Sequence, residues 1–184
     1  GEGRGVEPPP PRHERVRLEV ANDGTAFRGF AENPGVRTVG GDQRDALGRV
    51  LGIDPTITVA GRTDAGVHAR RQVVSFDAPT GSVEPHSLRR SVNAMLAPHV
   101  VIREVAHAAG DFDARFSAKW RRYRYRLLAS EVPDPFLATT TWWMPAALDR
   151  HRMADAAHDL VGEHDFTSFC RRPRDRPDAS LVRR

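Results

Sequence analysis

Hydrophobic and polar residues alternate strictly through Val16-Arg17-Leu18-Glu19-Val20, which predicts a strand with one buried face. Asn22-Asp23-Gly24-Thr25 then turns the chain. From Thr38, a capping residue, the spacing changes to that of a helix reaching Leu51, with Val39, Ala46, Leu47, Val50 and Leu51 on one face and Gly52 at its end. Two β-branched or apolar runs follow, Thr56-Ile57-Thr58-Val59 and Gln72-Val73-Val74-Ser75-Phe76, and predict two further strands. A second helix carries Leu88, Val92, Met95 and Leu96 on one stripe, and Val100 to Val105 reads as a strand. The order is β-α-β-β-α-β. It predicts an α+β fold over residues 14–108, in which an antiparallel or mixed sheet of ferredoxin-like type carries its helices on one face and leaves the other open.

A second unit, 109–184, is expected to resemble the first but to be incomplete. Trp120 to Leu128 reads as a strand, Thr139-Thr140-Thr141-Trp142-Trp143 as another, and 148–161 as a helix with Met153, Ala156, Ala157, Leu160 and Val161 on its apolar stripe. The strands and helix that should follow by the pattern of the first unit are missing. At the other end, Pro8-Pro9-Pro10-Pro11 lies among Gly, Glu and Arg, so residues 1–13 are expected to form a disordered, extended tail.

Composition narrows the class. A chain of 184 residues with 39% hydrophobic content can bury a real core. The sequence has no apolar stretch of membrane-spanning length and no signal-peptide core, so the expected location is the cytoplasm. Cys170 is the one cysteine, which excludes an intramolecular disulfide and a cysteine-cluster zinc site. Net charge is only +4, yet Arg115, Lys119, Arg121, Arg122, Arg124 and Arg126 share a segment with no acidic residue. As a strand, that segment would set Tyr123 and Tyr125 on one side and Arg122, Arg124 and Arg126 on the other. A phosphate-binding surface fits, as does a solvated strand face. Arg171, Arg172, Arg174 and Arg176 suit either a phosphate-contacting loop or a frayed end.

Candidate chemistry centres on Gly61-Arg62-Thr63-Asp64-Ala65-Gly66-Val67-His68-Ala69, between two predicted strands. Glycines at both ends permit positive φ or close approach to a ligand, and Arg62 would favour an ionised Asp64 ready to act as nucleophile or base. An Asx turn is the alternative for such a string. His68 lacks the partners of a metal site and is expected to steady the loop by hydrogen bonding. Asp155, His158 and Asp159 read as the solvated side of the last helix.

The nine-residue string resembles the signature of TruA-type tRNA pseudouridine synthases. Three further segments resemble that family in family order: Phe112-Asp113-Ala114-Arg115-Phe116-Ser117-Ala118, Arg121-Arg122-Tyr123-Arg124-Tyr125 and Gly162-Glu163-His164-Asp165-Phe166-Thr167-Ser168-Phe169. The resemblance runs from about Arg15 to the C-terminus and implies a synthase truncated at that end, since the family continues further. Asn22 stands where the family usually has Tyr, Phe30 where it has Trp, Gly40 where it has Gln, and Arg71 where it has Gly.

The resemblance implies conversion of uridine to pseudouridine at positions 38–40 in the anticodon stem-loop of tRNA, with Asp64 as the catalytic carboxylate. Tyr123 would pack at the target base and Arg62 would assist in flipping it out. Phe112, Arg115, Phe116, Arg121, Arg122 and Arg174 would face RNA. It also implies a homodimer and a reaction without metal or cofactor, because exchanging an N1 for a C5 glycosidic bond is redox-neutral. A non-catalytic RNA-binding module is the alternative.

Overall fold

The computed structural model describes residues 12–169 and 180–183. Of the expected tail, residues 1–11 lie outside the described residues, and the first strand already begins at His13. The chain forms two compact units that divide between Arg124 and Tyr125.

The first unit contains β1 (His13–Asn22), α1 (Val39–Leu51), β2 (Thr58–Val59), β3 (Ala69–Pro79), α2 (Pro85–Leu96) and β4 (Val100–Ala108), so the β-α-β-β-α-β order is present. The sheet runs β2-β3-β1-β4 with every neighbour antiparallel. Alternation in β1 does what its pattern requires. Val16, Leu18 and Val20 are wholly buried, and Val16 and Leu18 lie opposite Phe76 and Val74 of β3. These side chains share one core with Val39, Ala46 and Leu47 of α1 and with Leu88 and Val92 of α2, so both helices cover the same face. Each fully buried aliphatic side chain contributes about 2 kcal/mol of transfer free energy.

Both helices begin at side-chain caps. Thr38 accepts from the Gly41 N–H at 3.2 Å, and Glu84 accepts from the N–H groups of His86 and Ser87. Gly52 closes α1 at φ 66°, a left-handed conformation that favours glycine. The buried stripe of α1 departs from expectation in one respect: Val50 is exposed, whereas Gln43 is fully buried. Position 43 lies four residues after Val39 and three before Ala46, so helical geometry turns it inward whatever its polarity. Among the described residues neither Nε2 nor Oε1 of Gln43 has a hydrogen-bond partner.

Leaving a buried amide unpaired costs about 1–3 kcal/mol. Gln43→Leu, which nearly conserves volume, is therefore expected to stabilise the protein by about 1–2 kcal/mol. The urea midpoint should rise at constant m-value; a lower midpoint would mean that the amide is satisfied in solution.

The sheet's second face is less open than expected. It carries the ion pairs Arg17–Glu104 at 2.8 Å, Arg71–Glu19 at 2.8 Å and Arg15–Asp77 at 2.6 Å. The segment after β4 also packs there: the Ala114 N–H donates to Ser75 Oγ at 3.1 Å, and Arg15 donates to the Phe112 carbonyl. Ser75 and Ala114 are only 1% and 2% exposed as a result. These ties explain why residues 109–124 belong to the first unit.

The expected strand from Trp120 to Leu128 is reduced to β5 (Leu127–Ala129). Alternation suits a strand, but a strand also needs a neighbour to satisfy its backbone; among the described residues none pairs with 120–125, and only at Arg126 does the carbonyl accept from the Trp142 N–H at 2.8 Å. In the second unit, β5 pairs in parallel with β6 (Trp142–Met144). α3 (Arg150–His158) follows, and β7 (His164–Asp165) pairs antiparallel with β8 (Val182–Arg183). The α3 helix is shorter than its sequence pattern and buries no residue; Met153, Leu160 and Val161 are exposed, so the predicted stripe has no cover among the described residues. No helix among the described residues is long and apolar enough to cross a membrane.

Candidate active site

Residues 60–68 connect β2 to β3, and their backbone is held from several sides. At the entry, Gln72 Nε2 donates to the Gly61 carbonyl at 2.7 Å and Arg121 Nε to the Ala60 carbonyl at 2.8 Å. Further along, the Phe30 N–H donates to the Thr63 carbonyl at 3.0 Å, and the Gly66 N–H to the Phe27 carbonyl at 3.2 Å. Asn22 Nδ2 reaches the Val67 carbonyl at 3.3 Å, while the Val67 N–H closes a turn onto the Asp64 carbonyl at 3.2 Å. The segment from Asn22 to Phe30 thus acts as a clasp.

Two glycines let this clasp close. A Cβ on Gly24 would stand 2.1 Å from the Val67 carbonyl oxygen, and one on Gly29, where φ is +92°, 2.8 Å from the Thr63 oxygen. The clasp is itself tied to α1: the Val39 and Gly40 N–H groups donate to the Gly29 and Phe30 carbonyls at 3.0 and 2.9 Å. A Cβ on Gly40 would stand 2.6 Å from that Phe30 oxygen, so glycine here serves close approach. His68 supports the same frame, its Nδ1 accepting from the Gly24 N–H at 3.1 Å. Hydrogen bonding from the Thr25 hydroxyl, then from its N–H, holds the Asp23 carboxyl below the usual range.

On this frame Asp64 and Arg62 are exposed. Among the described residues the Asp64 carboxylate has no ion-pair or hydrogen-bond partner, Arg62 included. Both groups face water, which competes with such a contact. A fixed backbone with an uncommitted carboxylate presents the group without tying up its oxygens. Among the described residues, no three of His, Cys, Asp or Glu could hold a metal ion together.

The other candidates occupy several settings. Tyr123 is 68% exposed, and its hydroxyl lies 3.7 Å from where a Cβ of Gly61 would stand, which brings it to the entry of the Asp64 loop. Phe112 is half-buried, with its carbonyl taken by Arg15. Asp113 caps the next turn by accepting from the Arg115 and Phe116 N–H groups, both at 2.8 Å, so its carboxylate serves the backbone rather than the Arg115 guanidinium. Arg115 instead lies over the Phe116 ring at 5.4 Å, and Arg122 over Trp120 at 5.7 Å. Arg174 lies outside the described residues. The loop anchors Gln72, Asn22 and Gly24 were not singled out as site residues from sequence.

The ion pairs beneath this region make stability acid-sensitive. The hydrogen bond from Arg15 holds the Asp77 carboxyl below its usual range, and that from Arg71 does the same for Glu19. A carboxyl depressed in the folded state stabilises above its unfolded pKa of about 4, and that contribution is lost as pH falls through the folded value. Asp77→Asn should therefore lower the urea midpoint at pH 7 and flatten its decline below about pH 4. An unchanged acid limb would show that this carboxylate does not contribute.

No protein-family model matches the chain. It is 42% identical to a tRNA pseudouridine synthase A of Leifsonia xyli, covering 85% of this chain and 62% of that protein. Proteins of the same name from Frankia casuarinae and Geobacillus kaustophilus are 48% and 41% identical, covering 92% and 85% of this chain and 61% of each relative. The chain spans about three fifths of the length of these relatives. Over that span it belongs to the tRNA pseudouridine synthase A family.

Proposed function

We propose that this chain carries the Asp64-bearing part of a synthase that isomerises uridine to pseudouridine in the anticodon stem-loop of tRNA, at positions 38–40. The observation that carries the reading is the exposed Asp64 carboxylate, without a partner among the described residues, on a loop whose backbone is held by side chains and main chain from separate elements. The reaction breaks the bond from uracil N1 to the sugar, rotates the base and joins C5 to the same sugar carbon. N1 gains a proton and C5 loses its hydrogen to solvent. Asp64 serves as nucleophile toward base or sugar, or as the base that removes a sugar proton; all three roles need an ionised carboxylate within reach of the flipped nucleotide.

In this reading Arg62 assists flipping and Tyr123, beside Gly61, packs at the target base. Phe112, Arg115, Phe116, Arg122 and Arg174 face RNA, and the protein acts without cofactor as a cytoplasmic homodimer. The exposed Arg115–Phe116 and Arg122–Trp120 pairs favour a second reading, RNA binding without turnover, because arginine and aromatic surfaces stack on bases and neutralise phosphates.

The deciding experiment is release of tritium from tRNA labelled at uridine C5, run beside a salt titration of tRNA affinity. Release by the 184-residue chain establishes the isomerase. Salt-dependent binding with no release means that the chain is either a fragment of the enzyme or a binding module.

A further inference from the structure

We propose that Arg121 is a positioning residue that latches the Tyr123 segment to the Asp64 loop; this rests on the roles given to Asp64 and Tyr123 above. Both Nε and Nη2 of Arg121 donate to the Ala60 carbonyl, the Nε bond being 2.8 Å, just ahead of Gly61-Arg62-Thr63-Asp64. Its aliphatic stem lies against Gly61. A Cβ at that position would meet Arg121 Nε at 3.0 Å and Cδ at 3.1 Å, so any larger residue would make the side chain give by a few tenths of an ångström. The next carbonyl, that of Gly61, is taken by Gln72 Nε2 at 2.7 Å. Two successive carbonyls at the loop entry are thus held by side chains from β3 and from the segment after β4.

Residues 120–126 form no strand ladder of their own, so side-chain ties must locate Tyr123. The Arg121 fork does this two residues before the tyrosine, and it spends two donors on a backbone oxygen rather than presenting them to phosphate. Arginine suits the task because a planar fork loses little further freedom when both donors engage one site.

The test compares Arg121→Met, which removes the donors, with Arg121→Lys, which keeps the charge but loses the fork. In the chain without RNA, amide hydrogen exchange of residues 62–66 should quicken about tenfold in Arg121→Met, with β1 and β3 amides unchanged. With unmodified tRNA, kcat for tritium release should fall about 10–100-fold in both variants, affinity should stay within about twofold, and the salt slope should not change. A phosphate contact gives the opposite pattern: Arg121→Met weakens binding and lowers the salt slope by about one, while Arg121→Lys behaves nearly as the parent. That pattern, or unchanged loop exchange, overturns the latch. If the parent chain binds tRNA without turnover, loop exchange alone decides the latch.

Discussion

In Asp64→Ala, tritium release from C5-labelled tRNA falls to background, a loss of at least about a thousandfold, while tRNA affinity changes by less than about threefold. Two features of the site separate these effects. The carboxylate is exposed and has no partner among the described residues, so its removal leaves no buried group unsatisfied. The backbone around it is held by the Thr63, Gly66 and Val67 hydrogen bonds, none of which uses the Asp64 side chain. The thermal midpoint should therefore stay near that of the parent, and Asp64→Asn, which conserves shape, should be equally inactive. Parallel loss of affinity and release would make Asp64 a binding residue.

Gly24→Ala produces the largest structural effect expected of a single methyl group in this unit. The added Cβ would lie 2.1 Å from the Val67 oxygen, 2.5 Å from its carbonyl carbon and 2.9 Å from the Gly66 carbonyl carbon. All three are backbone atoms, so no rotamer change relieves the overlap; either the clasp opens or residues 66–67 move. We expect destabilisation of about 2–4 kcal/mol and loss of turnover even where the variant remains folded, because the displaced segment begins two residues after Asp64. Gly52→Ala is the control. It occupies a left-handed position at φ +66° with no atom within 4 Å, so it should cost about 1 kcal/mol through backbone strain alone and leave turnover unchanged. Equal effects from the two variants would show that the clasp does not need close contact at Gly24.

α1 and residues 120–126 differ in how far local pattern fixes their conformation. The Thr38 cap, the stripe of Val39, Ala46 and Leu47 and the Gly52 stop are all satisfied within one helix and against one core, and the helix runs as its pattern indicates. Alternation of tyrosine and arginine is just as regular, but a strand exists only where a second strand takes up its N–H and C=O groups, and among the described residues none pairs with 120–125. Gln43 makes the converse point: helix geometry buries it despite its chemistry.

By itself the sequence determined the order of elements in the first unit, the inward face of β1, the ends of α1, and the string that presents Asp64. Tertiary structure alone decided which distant partners hold that string. Gly24 and His68 meet across 44 residues and Arg121 and Ala60 across 61. Periodicity reports contacts between a residue and its near neighbours on one element, whereas these bonds join segments brought together only when the sheet and core have formed.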